Sequence, residues 1–536
     1  MSLPGKSITA VGGSVLLVLV LVVFGSILAF TKNPLSLDDG LRHFVLAERY
    51  RMEGVDGPSW SDFLFEGYFT THKVDPWFLA DLSYVPFTIF ENRIAGIKTA
   101  TFVFLCFLIF SLLYSLRRIR MRPVLTVLIL LIFFFGSETF MFRLMLGRPF
   151  VLITALLLLT VSCIVERRPI FLGILLALAT LFSHLFIFPL GVAIMGSIWL
   201  FLLRERKAAF LSLGASVLGV GIGLILHPDG VLYLQWIKDI IFAIPFSKDL
   251  DLGGEVYSGL GFGDVSVFLI LAVSILVVVT LALRGEFHAS MKKHPEILFL
   301  GTLTGFFFLA FLLWARAIDL FWPIAVLTLA FLLGTTEGVQ DDVVEGLHTP
   351  YFPFRLTAFH LITALLLMTC AGQVWRFIAD DDQRSPQAFA AINVIPAHAT
   401  VFNVDWDYFP VEVFLRPDLL YARGVDPTLD DPAMREILRD LTVEGVLPDA
   451  PLFSKAWWKD LRSRIDVANL GLTRVREADT DADAWLQKVR SVIDPQYLVF
   501  QRERHAEFIA KLKERGDLSL LEERGALAVF VLESGR

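Results

Sequence analysis

"SLDDGLRHFVLAERYRM" (residues 36–52) follows a run of 23 largely apolar residues, Ile8 to Phe30. A cleaved leader has a shorter apolar stretch and a small-residue cleavage site, whereas a run this long reaches across the ~30 Å hydrocarbon core. The run therefore reads as a retained membrane helix. Two adjacent acids, Asp38 and Asp39, stand just beyond it, and Arg42 and His43 follow one helical turn later.

The rest of the chain agrees with a membrane setting. Of 536 residues, 55% are hydrophobic and 49 are Phe, with mean hydropathy +0.65. A soluble chain of this length carries more charge and fewer long apolar runs. Further runs lie near 94–116, 123–137, 149–165, 169–184, 187–203, 208–226, 265–284, 296–314, 318–335 and 356–375. With the first they predict about eleven spans, with the 123–203 region short enough for tilted or broken helices. The fold class is a mostly α polytopic membrane protein, residues 1–375, carrying a soluble α/β domain, 376–536.

Charge orients the bundle. The short loops 117–122, 166–168, 204–207 and 284–294 are basic. An inside amino terminus puts all four on the cytoplasmic face, as the positive-inside rule requires. The large loop 31–93, the 137–148 turn, the 227–264 loop, the 314–318 turn and the tail then lie outside. The three cysteines, Cys106, Cys163 and Cys370, sit in apolar runs without disulfide or zinc spacing. No Asn-x-Ser/Thr acceptor occurs, which favours a bacterial inner membrane with a periplasmic tail. Net charge is −7 and no basic stripe interleaves with aromatics, so nucleic acid is set aside.

In the tail, 399–404, 496–500 and 526–533 read as buried strands, and 432–441 and 504–515 as amphipathic helices. The cluster Asp405, Trp406, Asp407, Tyr408 and Phe409 suits sugar contact, and equally a plain strand-to-loop junction. The Gly-rich 253–263 stretch reads as a lid at most.

The acidic pair has two readings. Ser36 and Asp39 fit an S-x-x-D capping box, with Asp38–Arg42 and Asp39–His43 as i,i+4 pairs on an exposed helix. The same geometry places an ionised carboxylate beside a guanidinium, a base next to an anion clamp. Other charged groups share the outer end. Asp75 and Asp81 lie on an interfacial segment with Trp77 and Tyr84. Glu138, Arg143 and Arg148 lie between two spans, where they face a cavity or snorkel to headgroups. His184 stands alone near a helix end. Arg316 and Asp319, flanked by Trp314 and Trp322, are spaced to neutralise each other or to meet a headgroup.

The stretch "LDDGLRH" (37–43), opening a large first outer loop, resembles the paired-acid motif of the GT-C superfamily of integral membrane glycosyltransferases. Oligosaccharyltransferase-type members carry acid-x-Tyr-Tyr-His-Leu-Arg; here the tyrosines are absent and His and Arg are reversed. The resemblance implies transfer of a sugar from a polyprenyl-phosphate or polyprenyl-pyrophosphate donor to a glycan, lipid or protein acceptor at the outer face. It implies Asp38 or Asp39 as general base, Asp38 first. Arg42, His43, Arg143, Arg148 and Arg316 would bind donor phosphate, and Asp75, Asp81, Glu138, His184 and Asp319 would line the cavity. The family contains metal-dependent and metal-free members, so a divalent cation stays open and no cofactor is assigned. The rivals are a lipid-linked substrate flippase and a non-enzymatic envelope assembly protein. A flippase would show duplicated halves and midplane charges; the charges here gather at one face.

Overall fold

The computed structural model describes residues 21–34, 36–55, 58–117, 119, 123–246, 265–285, 287–313, 315–334, 358–424, 480–515 and 518–532, with Met434 and Ile437. Residues 253–263 lie outside these, as does 432–441 apart from those two positions.

The helices used below are α1 (Leu21–Phe30), α2 (Gly40–Glu53), α3 (Arg93–Leu116), α4 (Pro123–Phe135), α5 (Glu138–Met145), α6 (Phe150–Val165), α7 (Pro169–Phe182), α8 (Ile187–Leu202), α9 (Arg206–Leu226), α10 (Gly230–Phe246), α11 (Val265–Leu283), α12 (Glu296–Leu313), α13 (Ile318–Gly334) and α14 (Ala358–Ala379). A helix apolar on every side belongs at the centre of a bundle. α6 and α13 are such helices, buried along nearly their whole length. α9 and α11 instead expose large apolar side chains such as Phe210, Leu218, Leu269 and Leu276.

Four stretches are long and apolar enough to cross a membrane, by length and composition: Arg93–Leu116, His184–Leu202, Arg206–Leu226 and Ser266–Leu283. Two helix pairs pass the same test but are bent, α4 with α5 by 68° and Phe287–Lys293 with Glu296–Leu312 by 99°. α1, α6, α7 and α13 are shorter apolar helices. Among the described residues, the runs behind the expected eleven or so spans form long, bent and short helices, the short and broken ones including the 123–203 region where they were expected. The first bend has a local cause. Gly136-Ser137 interrupts the run, and the Ser137 hydroxyl accepts the Phe140 amide at 3.1 Å, capping a new helix.

The tail forms a five-stranded sheet in the order β2-β1-β3-β5-β4. Its strands are β1 (Thr400–Asn403), β2 (Leu420–Tyr421), β3 (Tyr497–Gln501), β4 (Leu518–Arg524) and β5 (Leu527–Leu532). β1 runs parallel to β2 and β3, while β5 runs antiparallel to β3 and β4. The three apolar runs of the tail became β1, β3 and β5, and 504–515 holds a helix at Ala506–Lys513.

The first outer loop joins this sheet. The Tyr421 amide donates to Phe63 O at 2.8 Å, and the Phe65 amide to Tyr421 O at 3.1 Å, so the loop extends the β2 edge. Beside it, α15 (Phe409–Leu415) packs on α2. Arg93 binds Glu48 of α2 through two nitrogens at 2.9 and 2.6 Å and donates to Phe414 O of α15. Its guanidinium also lies over the Phe414 ring, 4.1 Å from the centroid.

Glu412 of α15 is 1% exposed, and its Oε2 has no hydrogen-bond partner. Burial pushes its carboxyl well above the ordinary 4.5, and the charges of Asp405 and Asp407 add to that. The folded chain therefore keeps a proton that the unfolded chain releases as pH rises through 4.5. Stability is lost with rising pH on this account. Glu412→Gln, equal in shape and without the charge, is expected to match the parent's melting temperature at pH 4.5 and exceed it at pH 8. Thermal unfolding of both proteins at the two pH values checks this.

Candidate active site

One end of the bundle gathers the charged side chains. α2 begins at Gly40, with Asp39 at its N-cap position. The Ser36–Asp39 capping box does not form: Asp39 makes no side-chain cap, and Asp38 Oδ1 accepts the Asp39 amide at 2.6 Å. Asp39 Oδ1 instead accepts from Arg42 Nε at 2.9 Å, and Asp39 Oδ2 lies 3.5 Å from Arg148 Nε. Arg148 Nη2 donates to Asp38 Oδ2. The expected i,i+4 pairs are thus replaced by an i,i+3 pair and by Arg148 from between α5 and α6. Burial raises the proton affinity of Asp39. Arg42 and Arg148 more than offset it, with Arg316 contributing, and hold Asp39 below the usual carboxylate range.

Close backbone approach makes this cluster possible. A Cβ on Gly40 would lie 2.8 Å from Gly147 O. Gly147 has φ +70°, the left-handed region open to glycine, and its carbonyl accepts from the Tyr84 hydroxyl. Gly40→Ala gains a little helix propensity but drives a methyl into a fixed carbonyl. It is expected to lower stability by about 1–3 kcal/mol, the usual cost of overpacking, read by denaturant or thermal unfolding.

Arg42 is 3% exposed. Its guanidinium lies over Trp77 at 4.6 Å and Trp60 at 5.2 Å. Nη1 is buried without a hydrogen-bond partner. Behind it runs a buried polar chain. His43 Nδ1 meets Asp81 Oδ1 at 2.5 Å. Burial, reinforced by Arg42, pushes His43 well below its ordinary range, while burial and the neighbouring Asp75 push Asp81 well above. Asp81 Oδ2 is buried without a hydrogen-bond partner. Asp75 accepts from the Tyr50 hydroxyl at 2.7 Å, the Trp77 amide at 3.0 Å and Trp60 Nε1 at 3.3 Å, and burial raises its carboxyl above the ordinary range against these donors.

Arg143 and Asp319 form a separate buried pair, Nε to Oδ1 at 2.7 Å and Nη2 to Oδ2 at 2.6 Å, with side chains 6% and 9% exposed. His184 packs edge-on against Trp236 at 4.9 Å and Trp77 at 6.1 Å. Arg316 is exposed, and its charge reaches Asp39.

No protein-family model matches the sequence, and no curated protein does. Solved structures do. The apo oligosaccharyltransferase of Archaeoglobus fulgidus superposes with TM-score 0.54 at 14% identity, covering 92% of this chain and 70% of that one. AglB of Archaeoglobus fulgidus, in complex with an inhibitory peptide and a dolichol-phosphate, gives 0.51 at 12% identity, with 97% and 74% covered. ArnT of Cupriavidus metallidurans, in the apo state, gives 0.51 at 13%, with 96% and 97% covered. All three are GT-C membrane glycosyltransferases. The chain has the GT-C fold.

On that fold, Asp38, Asp39, Arg42 and Arg148 form one cluster, within reach of the Arg316 charge. His43 is turned to Asp81 instead and leaves the anion-binding set. Asp75 and Asp81 lie beside each other, with Asp81 also within reach of the Arg42 charge. Arg143 is occupied by Asp319. Glu138 lies apart, 56% exposed and paired with Arg376 at 2.8 Å, because its position at the start of α5 points it toward α14. Trp314 lies outside the described residues. Trp60, Tyr50 and Gly147 were not singled out in the sequence; Trp60, isolated in a polar loop, was the one local signal.

Among the described residues, no group of three or more His, Cys, Asp or Glu side chains is arranged to hold a metal ion. Asp38 and Asp39 face guanidinium groups, so the described residues do not fit a cation site there.

Proposed function

We infer that this chain is a membrane glycosyltransferase that takes a sugar from a polyprenyl-phosphate or polyprenyl-pyrophosphate carrier. The acceptor, a glycan, lipid or protein, meets it at the outer face of a bacterial inner membrane, with the amino terminus cytoplasmic and residues 376–536 periplasmic. Asp38 takes the proton from the acceptor hydroxyl. The acceptor oxygen attacks the anomeric carbon, and the bond from that carbon to the phosphate oxygen breaks. The phosphate leaves with the electron pair, its charge met by Arg42, Arg148 and Arg316. Asp39, a weaker proton taker between two guanidinium groups, orders Arg42 and Arg148. The Trp60–Trp77 sleeve and the His43–Asp81–Asp75 chain keep α2 rigid beneath them.

One observation carries this reading. A guanidinium nitrogen, Arg42 Nη1, is buried without a partner beside two carboxylates at the end of an apolar bundle. An unmet buried donor costs about 1–3 kcal/mol, and a phosphate oxygen is the acceptor that suits it. The test is a strain lacking the gene and complemented with wild type, Asp38→Asn or Asp39→Asn, its envelope glycans and lipids read by mass. Loss of a sugar-sized increment in both variants at normal protein level supports transfer. Wild-type masses in both variants at normal level overturn it.

A further inference from the structure

The opposite end of the bundle carries a second charged feature, one α6 length away, about 24 Å at 1.5 Å per residue. α7 and α9 run side by side in the same direction. A Cβ on Gly219 would come within 2.2 Å of Gly173 O, and one on Gly223 within 2.8 Å of Ala177 O. Their amino ends therefore sit together. Between them opens a groove of about 480 Å³ lined by Pro169 and Leu211 and by the charged side chains of Arg167, Arg204, Glu205, Arg206 and Lys207.

Arg167 is met by Glu205 at 2.5 Å. Arg204, Arg206 and Lys207 are exposed, and none has a carboxylate partner among the described residues. The turns that place these cations are costly. Arg167 has φ +56° and Arg204 φ +65°, each following a helix end where glycine is favoured. An arginine held in that region at both turns points to a use for its charge. The surface around the groove is apolar: Ile170, Phe171 and Phe210, within a turn of it on α7 and α9, are 77%, 56% and 66% exposed.

We propose that this groove binds one anionic phospholipid, its phosphate among Arg204, Arg206 and Lys207 and its acyl chains along the exposed faces of α7 and α9. A soluble phosphate would use the cations but not the apolar faces. A zwitterionic lipid would use the faces but bring no net charge to three cations. The site is independent of the acidic cluster and holds whatever that cluster does.

The test uses the full chain, delipidated in detergent, with phosphatidylglycerol or phosphatidylcholine added back and retained lipid counted by native mass spectrometry. The wild type is expected to retain one phosphatidylglycerol and no phosphatidylcholine. The triple variant Arg204→Asn/Arg206→Gln/Lys207→Gln is expected to bind phosphatidylglycerol roughly a hundredfold more weakly, as for three cations lost at a membrane surface. Arg204→Lys/Arg206→Lys, which keeps the charge, retains the lipid, as does the matched control Arg284→Gln/Lys292→Gln/Lys293→Gln. Equal retention by the wild type and the triple variant overturns the site. So does equal loss in the matched control, which reveals only diffuse attraction, or displacement of the lipid by glycerol phosphate alone, which reveals a soluble-phosphate site.

Discussion

Asp38→Asn is expected to lower the turnover of sugar transfer about a thousandfold, within the range that a positioned general base contributes. The folded structure should survive. Asp38 is partly exposed, 26%, and its Oδ1 contact is to the next residue's amide, which an Asn carbonyl also accepts. Donor KM should stay level or fall, because Arg148 is released from a carboxylate toward the phosphate. Asp39→Asn should behave differently. It removes the anion that fixes Arg42 Nε at 2.9 Å, so the donor KM rises along with a loss of turnover. Steady-state kinetics of the two variants against wild type, with melting temperatures alongside, separate the roles. A rise in donor KM for Asp38→Asn with unchanged turnover would move the base assignment elsewhere.

Arg143→Met is expected to cost about 3–5 kcal/mol of stability. It removes the guanidinium that binds the Asp319 carboxylate through two nitrogens in a site where the pair is under 10% exposed. Asp319 lies in the first turn of α13, a helix buried along nearly its whole length and packed against α6. The double variant Arg143→Met/Asp319→Leu removes the carboxylate as well and should recover most of the loss, since a buried ion pair is often no better than a well-packed apolar one. Thermal unfolding in one detergent across the four members of the cycle measures the coupling. Equal melting temperatures for wild type and Arg143→Met would mean that Asp319 reaches solvent or another cation.

What the sequence revealed followed from local signals. Apolar length marked the membrane class, and the alternation of basic loops placed Asp38, Asp39, Arg42, Arg148 and Arg316 at one end. Period and composition marked β1, β3 and β5, most of whose residues are buried. β2 has two residues and no pattern to detect, and β4 is an edge strand whose Glu522, Glu523 and Arg524 read as surface. The pairings were the harder part. Arg143 and Asp319 are 176 positions apart, and His43 and Asp81 are 38 apart. Nothing in either neighbourhood names its partner, so His43 read as an anion ligand and Glu138 as a cavity residue. A capping-box pattern at Ser36–Asp39 gave way because two guanidinium groups outbid backbone amides for a carboxylate.

The most direct measurement is an experimental structure of the full chain with a polyprenyl phosphate bound. The phosphate is expected to place an oxygen about 3 Å from Arg42 Nη1, with Arg148 and Arg316 closing around it. A headgroup seated elsewhere, with Arg42 Nη1 still buried and unmatched, would contradict the assignment of this cluster to phosphate departure.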